Sequence, residues 1–241
     1  MDTSAESNTE CSRRLAIVAT PIGNLEDITL RALRILKEAD LIAAEDTRRT
    51  AKLCSYYGIE AKLTSYHAHN EHKKTDSLLD LVESGQRVAL VSDSGTPVIS
   101  DPGYLLVKEA VGRGIEPEII PGPSALLYCA VACGLPVDRF QFFGFPPRKA
   151  GKRRNFLSSL KDCDSTVFLY ESVHRIGQLL DDICDVYGDA VEVVIIREAT
   201  KMHEERIRGT AGELKDRLAD RRWKGELVIA LNLRKGAGVD T

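Results

Sequence analysis

Short apolar runs alternate along this chain with longer stretches whose apolar positions recur at helical spacing. In the first half, Leu15–Ala19, Leu41–Ala44, Lys62–Tyr66, Val88–Ser92 and Glu118–Ile120 read as strands. Between them, helices are expected over Thr29–Ala39, with Leu30, Leu33 and Leu36 on one side, and over Arg48–Tyr57, closed by Gly58. Further helices are expected around Thr75–Glu83 and over Tyr104–Arg113, ended by Gly114. This β-α-β alternation predicts a mostly parallel sheet. Pro121-Gly122-Pro123-Ser124 then punctuates the chain, with Ser124 placed to cap a helix over Ala125–Cys133 that Gly134-Leu135-Pro136 ends. Beyond it, strands are expected over Arg139–Gly144, Thr166–Glu171, Val191–Arg197, Glu205–Gly209 and Leu227–Leu233, with helices over Val173–Val186 and Ala211–Ala219. Two strands joined by only a short turn favour a mixed sheet there. The expected fold class is therefore α/β, in two α/β domains. Residues 1–13 are polar and aperiodic, a loose leader; 14–121 form the first domain, 122–137 a bridge, and 138–235 the second.

The stretch Arg87–Gly103 organises the first half. A buried strand runs directly into Asp93-Ser94-Gly95-Thr96-Pro97, a tight polar loop, at the kind of strand end where open α/β sheets bind ligands. Asp101 is expected to cap the following helix, with Pro102 in its first turn.

Composition narrows the reading. With 43% apolar and 29% charged residues the chain has the balance of a globular protein, and a net charge of −3 means that any nucleic-acid surface must be a local patch. No apolar run is long enough to span a membrane, and the N-terminus lacks the apolar core of a signal peptide. Cys11, Cys54, Cys129, Cys133, Cys163 and Cys184 contain no Cys-x-x-Cys pair and read as reduced thiols of a cytoplasmic protein. No metal site is expected. Neither Gly-x-Gly-x-x-Gly after the first strand nor a Walker loop is present, so dinucleotide and phosphate cradles are not signalled.

Several phrases then fall into order: ATPIGNLEDIT (19–29), SDSGTPVISDPG (92–103), IIPGPSAL (119–126), YESVHR (170–175) and REATKMHEE (197–205). Together, over about Leu15 to Leu233, they resemble the tetrapyrrole-methylase superfamily. AEDTRRT (44–50) is similar to its ribosomal RNA 2′-O-methyltransferase branch rather than to the porphyrin-modifying enzymes. The resemblance implies two α/β domains with S-adenosylmethionine in the cleft between them, and a homodimer. It also implies transfer of a methyl group to a cytidine 2′-hydroxyl of 16S ribosomal RNA in the small subunit. Ser94, Val173 and Ala199 depart from the usual alanine, proline and leucine of the family, without removing a polar group assigned to chemistry. A tetrapyrrole methyltransferase and a non-catalytic RNA-binding protein on the same fold are the alternatives.

By this likeness Asp93, Gly95 and Thr96 border the cofactor, as do Ser124 and Ala125. Tyr170, and at the last strand Glu226 and Leu227, complete the set. Read without the likeness, Ser124 is a helix cap and Tyr170 a core aromatic. Methyl transfer to a hydroxyl needs alignment and a proton acceptor. Glu45-Asp46, His67-x-His69-x-x-His72 and Lys201-x-x-Glu204 all offer one, and the residues do not single out the base. Glu45, Asp46 and Lys201 are the substrate-side candidates. For RNA, Arg148, Lys149, Lys152, Arg153 and Arg154 form a cation cluster, expected as a flexible loop ahead of a helix, with Arg48, Arg49 and Arg175 extending the surface.

Overall fold

A computed structural model describes residues 14–235. The expected leader over 1–13 lies outside the described residues. The chain divides into two units between Ser124 and Ala125, inside the stretch expected as a bridge.

In the first unit, β1 (Leu15–Val18), β2 (Leu41–Ala44), β3 (Lys62–Ser65), β4 (Val88–Val91) and β5 (Glu118–Ile120) form one sheet in the order β3-β2-β4-β1-β5. Every pairing in it is parallel. Helices α1 (Leu30–Glu38), α2 (Thr47–Tyr57), α3 (Glu71–Glu83) and α4 (Tyr104–Gly112) make the crossovers. Period-two alternation sorts the strand side chains. Leu15, Ile17, Val88 and Leu90 pack with Leu78, Leu79 and Leu106 of α3 and α4, whereas Ala16, Val18, Ala89 and Val91 pack with Ala32, Leu36 and Cys54 of α1 and α2. Strand β4 is buried along its whole length, which is why it reads as a continuous apolar run.

One helix start and one helix cap depart from expectation. Helix α3 begins at Glu71, ahead of the expected Thr75, because its first turn is polar and carries no periodic signal. Asn70 marks the start instead: its Oδ1 accepts the His67 N–H at 2.8 Å and its amide donates to the Ser65 carbonyl at 3.2 Å. Helix α4 begins at Tyr104, so Asp101 does not cap it; Gly103 holds the cap position at φ 131° with no side-chain cap. A Cβ on Gly103 would lie 2.7 Å from Leu90 Cδ2, so the chain can pass over β4 and turn into the helix only at a glycine.

The second unit contains α5 (Ala125–Ala132), β6 (Phe140–Phe142), α6 (Ala150–Ser159), β7 (Thr166–Ser172), α7 (Ile176–Tyr187), β8 (Glu192–Arg197), β9 (Glu205–Thr210), α8 (Ala211–Leu218) and β10 (Glu226–Asn232). Its sheet runs β6-β7-β10-β8-β9. Only β6 and β7 are parallel; the other pairs are antiparallel, giving the expected mixed sheet. Leu157 of α6, Leu179, Leu180 and Ile183 of α7, and Leu214 of α8 cover one face. Cys129, Ala130 and Cys133, on α5 and just past its end, cover the other with Phe168, Val194 and Val228. Helix α6 contains Lys152, Arg153 and Arg154, three of the five cations of the basic run, so that run is not a flexible loop.

Candidate active site

The site grows out of the carboxyl ends of neighbouring strands in the first unit. Registers align Ala44 of β2 with Val91 of β4 and with Ser65 of β3, so the segments that follow leave the sheet at one edge. Hydrogen bonds tie these segments together. Thr20, after β1, donates its N–H to the Gly95 carbonyl at 2.9 Å and accepts the Gly95 N–H at 3.0 Å. The Thr20 hydroxyl donates to the Ser92 carbonyl at 3.2 Å. Asp46, after β2, donates its N–H to Asp93 Oδ1 at 2.8 Å. Gly95 carries this at φ 81°, with any Cβ only 3.3 Å from Ile22 Cγ2. Thr96 Oγ1 donates to the Pro123 carbonyl at 3.4 Å, bringing the Pro121–Ser124 segment to the same edge.

The loop then bends through two non-glycine residues at positive φ, Val98 at 77° and Ser100 at 65°. A β-branched residue there is costly, on the order of 1–3 kcal/mol, and such strain concentrates at ligand-binding segments. Here it is held by the Val98 N–H donating to the Pro102 carbonyl at 3.3 Å.

Charge separates the two adjacent carboxylates Glu45 and Asp46. Asp46 caps α2, accepting the Arg48 N–H at 2.9 Å and both Arg48 Nε and Nη2, at 3.0 and 2.8 Å. These bonds hold its carboxyl well below the usual range, so it is a permanent anion and a poor proton acceptor. Glu45 is half-buried. Burial first, and then the neighbouring Asp93 charge, push its carboxyl above the ordinary value, despite the Asp93 N–H donating to it at 3.5 Å. Asp93 in turn faces Arg49, whose Nη1 lies 3.6 Å from Oδ2. Of the two carboxylates, Glu45 has the character of a base tuned for proton transfer.

Alongside lies a cavity of about 340 Å³, walled by the outward face of α2 and by Thr20, Pro21, Leu25, Ser92 and Asp93. Its helical wall carries Lys52 and Tyr56, which the sequence reading did not single out. The Arg49, Lys52, Leu53, Tyr56 spacing that gives them one face was the available signal.

In the second unit, Tyr170 lies on β7 opposite Val228, with the rings of Phe142 and Phe145 edge-on at 4.8 and 5.6 Å. Ala125 opens α5; Leu227 is buried and Glu226 exposed at the start of β10. Lys201 pairs with carboxylates other than Glu204. Its Nζ bonds Glu198 at 2.9 Å and Glu226 at 3.0 Å. Burial alone would lower its pKa, but the two carboxylates outweigh that and raise it. A lysine held protonated in this way favours binding an anion over accepting a proton. Glu204 instead accepts from Tyr128 at 2.5 Å and from Arg206 at 2.8 Å.

The basic cluster splits into two kinds of cation. Arg148, Lys149 and Lys152 are exposed. Arg153 is 2% exposed and bonds Asp182 of α7 at 2.6 Å, so its guanidinium belongs to the core and is not available to phosphate. Arg154 is shared between Asp185 and Asp182, at 3.4 and 3.8 Å. Arg175 is spoken for as well, bonding the buried Glu171 at 2.6 Å. Asp182, flanked by the buried Leu179, Leu180 and Ile183, was the sequence signal that one of these cations had an internal partner. Among the described residues no group of three His, Cys, Asp or Glu is placed to hold a metal, and no helix is long and apolar enough to cross a membrane.

The family model for tetrapyrrole (corrin/porphyrin) methylases matches residues 14–215. The chain is 48% identical over 215 residues to a protein of Halalkalibacterium halodurans, covering 89% of this chain and 74% of that one. It is 47% identical to one of Thermotoga maritima, covering 91% and 98%, and 45% identical to one of Escherichia coli O157:H7, covering 94% and 80%. All three carry the name ribosomal RNA small subunit methyltransferase I. Among solved structures it resembles diphthine synthase, with TM-score 0.69 at 18% identity over 90% of this chain and 89% of that one. It also resembles cobalt precorrin-4 methyltransferase, with TM-score 0.66 at 19% identity over 92% and 95%. At such identities these structures speak to fold alone.

Proposed function

The chain belongs to the tetrapyrrole (corrin/porphyrin) methylase family, and from that premise we propose that it is a methyltransferase of small-subunit ribosomal RNA. The observation that carries this reading is its 45–48% identity, over about nine-tenths of its length, to proteins named for that reaction. The finer reading is that S-adenosylmethionine donates the methyl group to a cytidine ribose 2′-hydroxyl of 16S RNA, in a cytoplasmic homodimer. Tetrapyrrole methylation is not favoured, because the relatives that share 45–48% of their residues with this chain are named for small-subunit ribosomal RNA.

The strand-end residues suit such a cofactor. A zwitterion with a sulfonium asks for backbone groups and isolated anions rather than a phosphate cradle, and the loop from Asp93 to Thr96 offers both. Gly122 allows close backbone approach there, since a Cβ on it would lie 3.0 Å from the Ala19 Cβ. Asp93, Gly95, Thr96 and Ser124 are the first unit's proposed contacts, and Ala125, Tyr170, Glu226 and Leu227 those of the second. When bound, the cofactor supplies an activated methyl group. Glu45 accepts the hydroxyl proton, Arg49 steadies the Asp93 carboxylate, and Asp46 fixes the start of α2. Arg148, Lys149 and Lys152 hold RNA phosphates, with Arg48 and Arg49 extending that field.

Transfer of radiolabelled methyl from S-adenosylmethionine tests the proposal, with small subunits, naked 16S RNA and a uroporphyrinogen-type tetrapyrrole offered in parallel. Label on a ribose 2′-oxygen is expected. Label on the tetrapyrrole alone overturns the substrate and leaves the cofactor standing.

A further inference from the structure

The cavity beside Asp93 is built from a helix face whose chemistry is mixed in a specific way. Arg49, Lys52, Leu53 and Tyr56 recur at intervals of three and four along α2 and so share one side of it, with the buried Thr50 at the cavity's floor, while Cys54 turns into the core. Lys52 has no partner among the described residues, and Arg49 lies 3.6 Å from Asp93 and close enough to Glu45 to act on its charge. Tyr56 leaves 64% of its surface exposed, yet its ring is braced edge-on by Tyr57 at 4.8 Å. Tyr57 is itself anchored, its hydroxyl donating to the Leu25 carbonyl at 2.5 Å across the cavity's apolar side. The wall opposite the helix, Pro21 and Leu25, is therefore held at a fixed distance from the cations and the ring.

Two exposed cations, one braced exposed aromatic and an apolar strip around about 340 Å³ match a single nucleotide better than either a duplex or a macrocycle. The volume lies at the lower end of small-molecule sites, roughly 300–1,000 Å³. Duplex RNA offers phosphates but hides its base faces, whereas an unpaired base can be laid on an aromatic side chain. We infer that this cavity takes one unpaired nucleotide of the RNA substrate, its base on Tyr56 and its phosphates on Lys52 and Arg49. The inference rests on the ribosomal RNA methyltransferase reading and adds to it the requirement for a single-stranded segment at the target.

The test uses the full chain and a fluorescently labelled ten-nucleotide, cytidine-rich single-stranded RNA, followed by anisotropy across a salt titration without cofactor. Tyr56→Ala is expected to weaken binding about tenfold and Tyr56→Phe by no more than about twofold, since the phenyl ring keeps the stacking face. Lys52→Ala is expected to lower the slope of log K against log salt by about 0.7. Both positions are exposed, so melting temperatures should stay at the wild-type value and report a folded protein. A wild-type protein that methylates subunits but binds the oligonucleotide equally well with Tyr56→Ala, or does not bind it at all, overturns the nucleotide site alone. A protein that neither binds the RNA nor methylates subunits overturns the function on which the site depends.

Discussion

Asp93 accepts the backbone N–H of Asp46 at 2.8 Å, so the loop after β4 fixes the loop after β2 across 47 residues of sequence. The same carboxylate raises the affinity of Glu45 for its proton and faces Arg49. One side chain thereby positions a helix start, shifts the titration of a neighbouring carboxyl and steadies a cation.

Asp93→Ala should cost activity through binding as well as chemistry. It strands the part-buried Asp46 N–H and removes a charged acceptor from the proposed cofactor edge. Losing a hydrogen bond of this kind is worth about 1.5–3 kcal/mol, or roughly ten- to a hundredfold. Titration calorimetry with S-adenosylmethionine should show that loss, and an unchanged affinity would move the cofactor elsewhere.

Asp93→Asn separates the electrostatic role from the geometric one. The amide oxygen still accepts from Asp46, but the charge that raises the Glu45 pKa is gone. If Glu45 must be ionised to take the proton, the acid limb of the pH–rate profile should shift to lower pH in this variant. An unmoved limb would mean that Glu45 does not govern it.

Glu45→Gln should reveal a trade between stability and turnover. The folded pKa of Glu45 is raised by burial and Asp93, so between the unfolded value and the folded one the native state binds the extra proton. Stability contributed by this group therefore falls as pH rises through that window, and its penalty is complete above it. The variant should melt higher than wild type at neutral pH and show no such advantage below the ordinary glutamate range. Loss of a general base should meanwhile slow turnover by about 10²–10⁴-fold.

The cations of the second unit should divide cleanly when replaced. Arg153→Ala leaves the buried Asp182 with only the longer 3.8 Å contact to Arg154, which should cost about 3 kcal/mol in denaturant unfolding. Replacing Arg148, Lys149 and Lys152 together should change stability by less than about 0.5 kcal/mol each. The triple variant should instead lower the salt slope of single-stranded RNA binding by about 2.

Much of this architecture could be read from the chain. Parallel alternation and the mixed second sheet follow from period-two runs, glycine stops and motif order. What was not legible concerns partners. Arg153 and Arg148 look alike in sequence, and only the packing of α6 on α7 assigns one to Asp182 and leaves the other in solvent. Lys201-x-x-Glu204 has the spacing of a helical pair, but the segment turns through positive φ at Glu198 and Thr200, which sends the two side chains to different neighbours. Asp101 carries the right residue for a cap two positions too early, because the approach of the chain to Leu90 decides where α4 can begin. Tyr56 and Lys52 were readable as a helix face but had no motif to draw attention to them.

The bond from Thr20 to Ser92 spans 72 residues, and β1 pairs with β4 on one side and β5 on the other. The contacts that join Thr20, Asp46 and the loop after β4 at this edge cannot form before β4 is in place. During synthesis or refolding the binding surface must arise late, when the central strand inserts between β1 and β2, and long-range parallel pairing of this kind is slow. Cofactor affinity should therefore return with the last kinetic phase of refolding rather than with early helix formation. Ligand present from the start would then shift the final equilibrium by mass action without accelerating the approach to it.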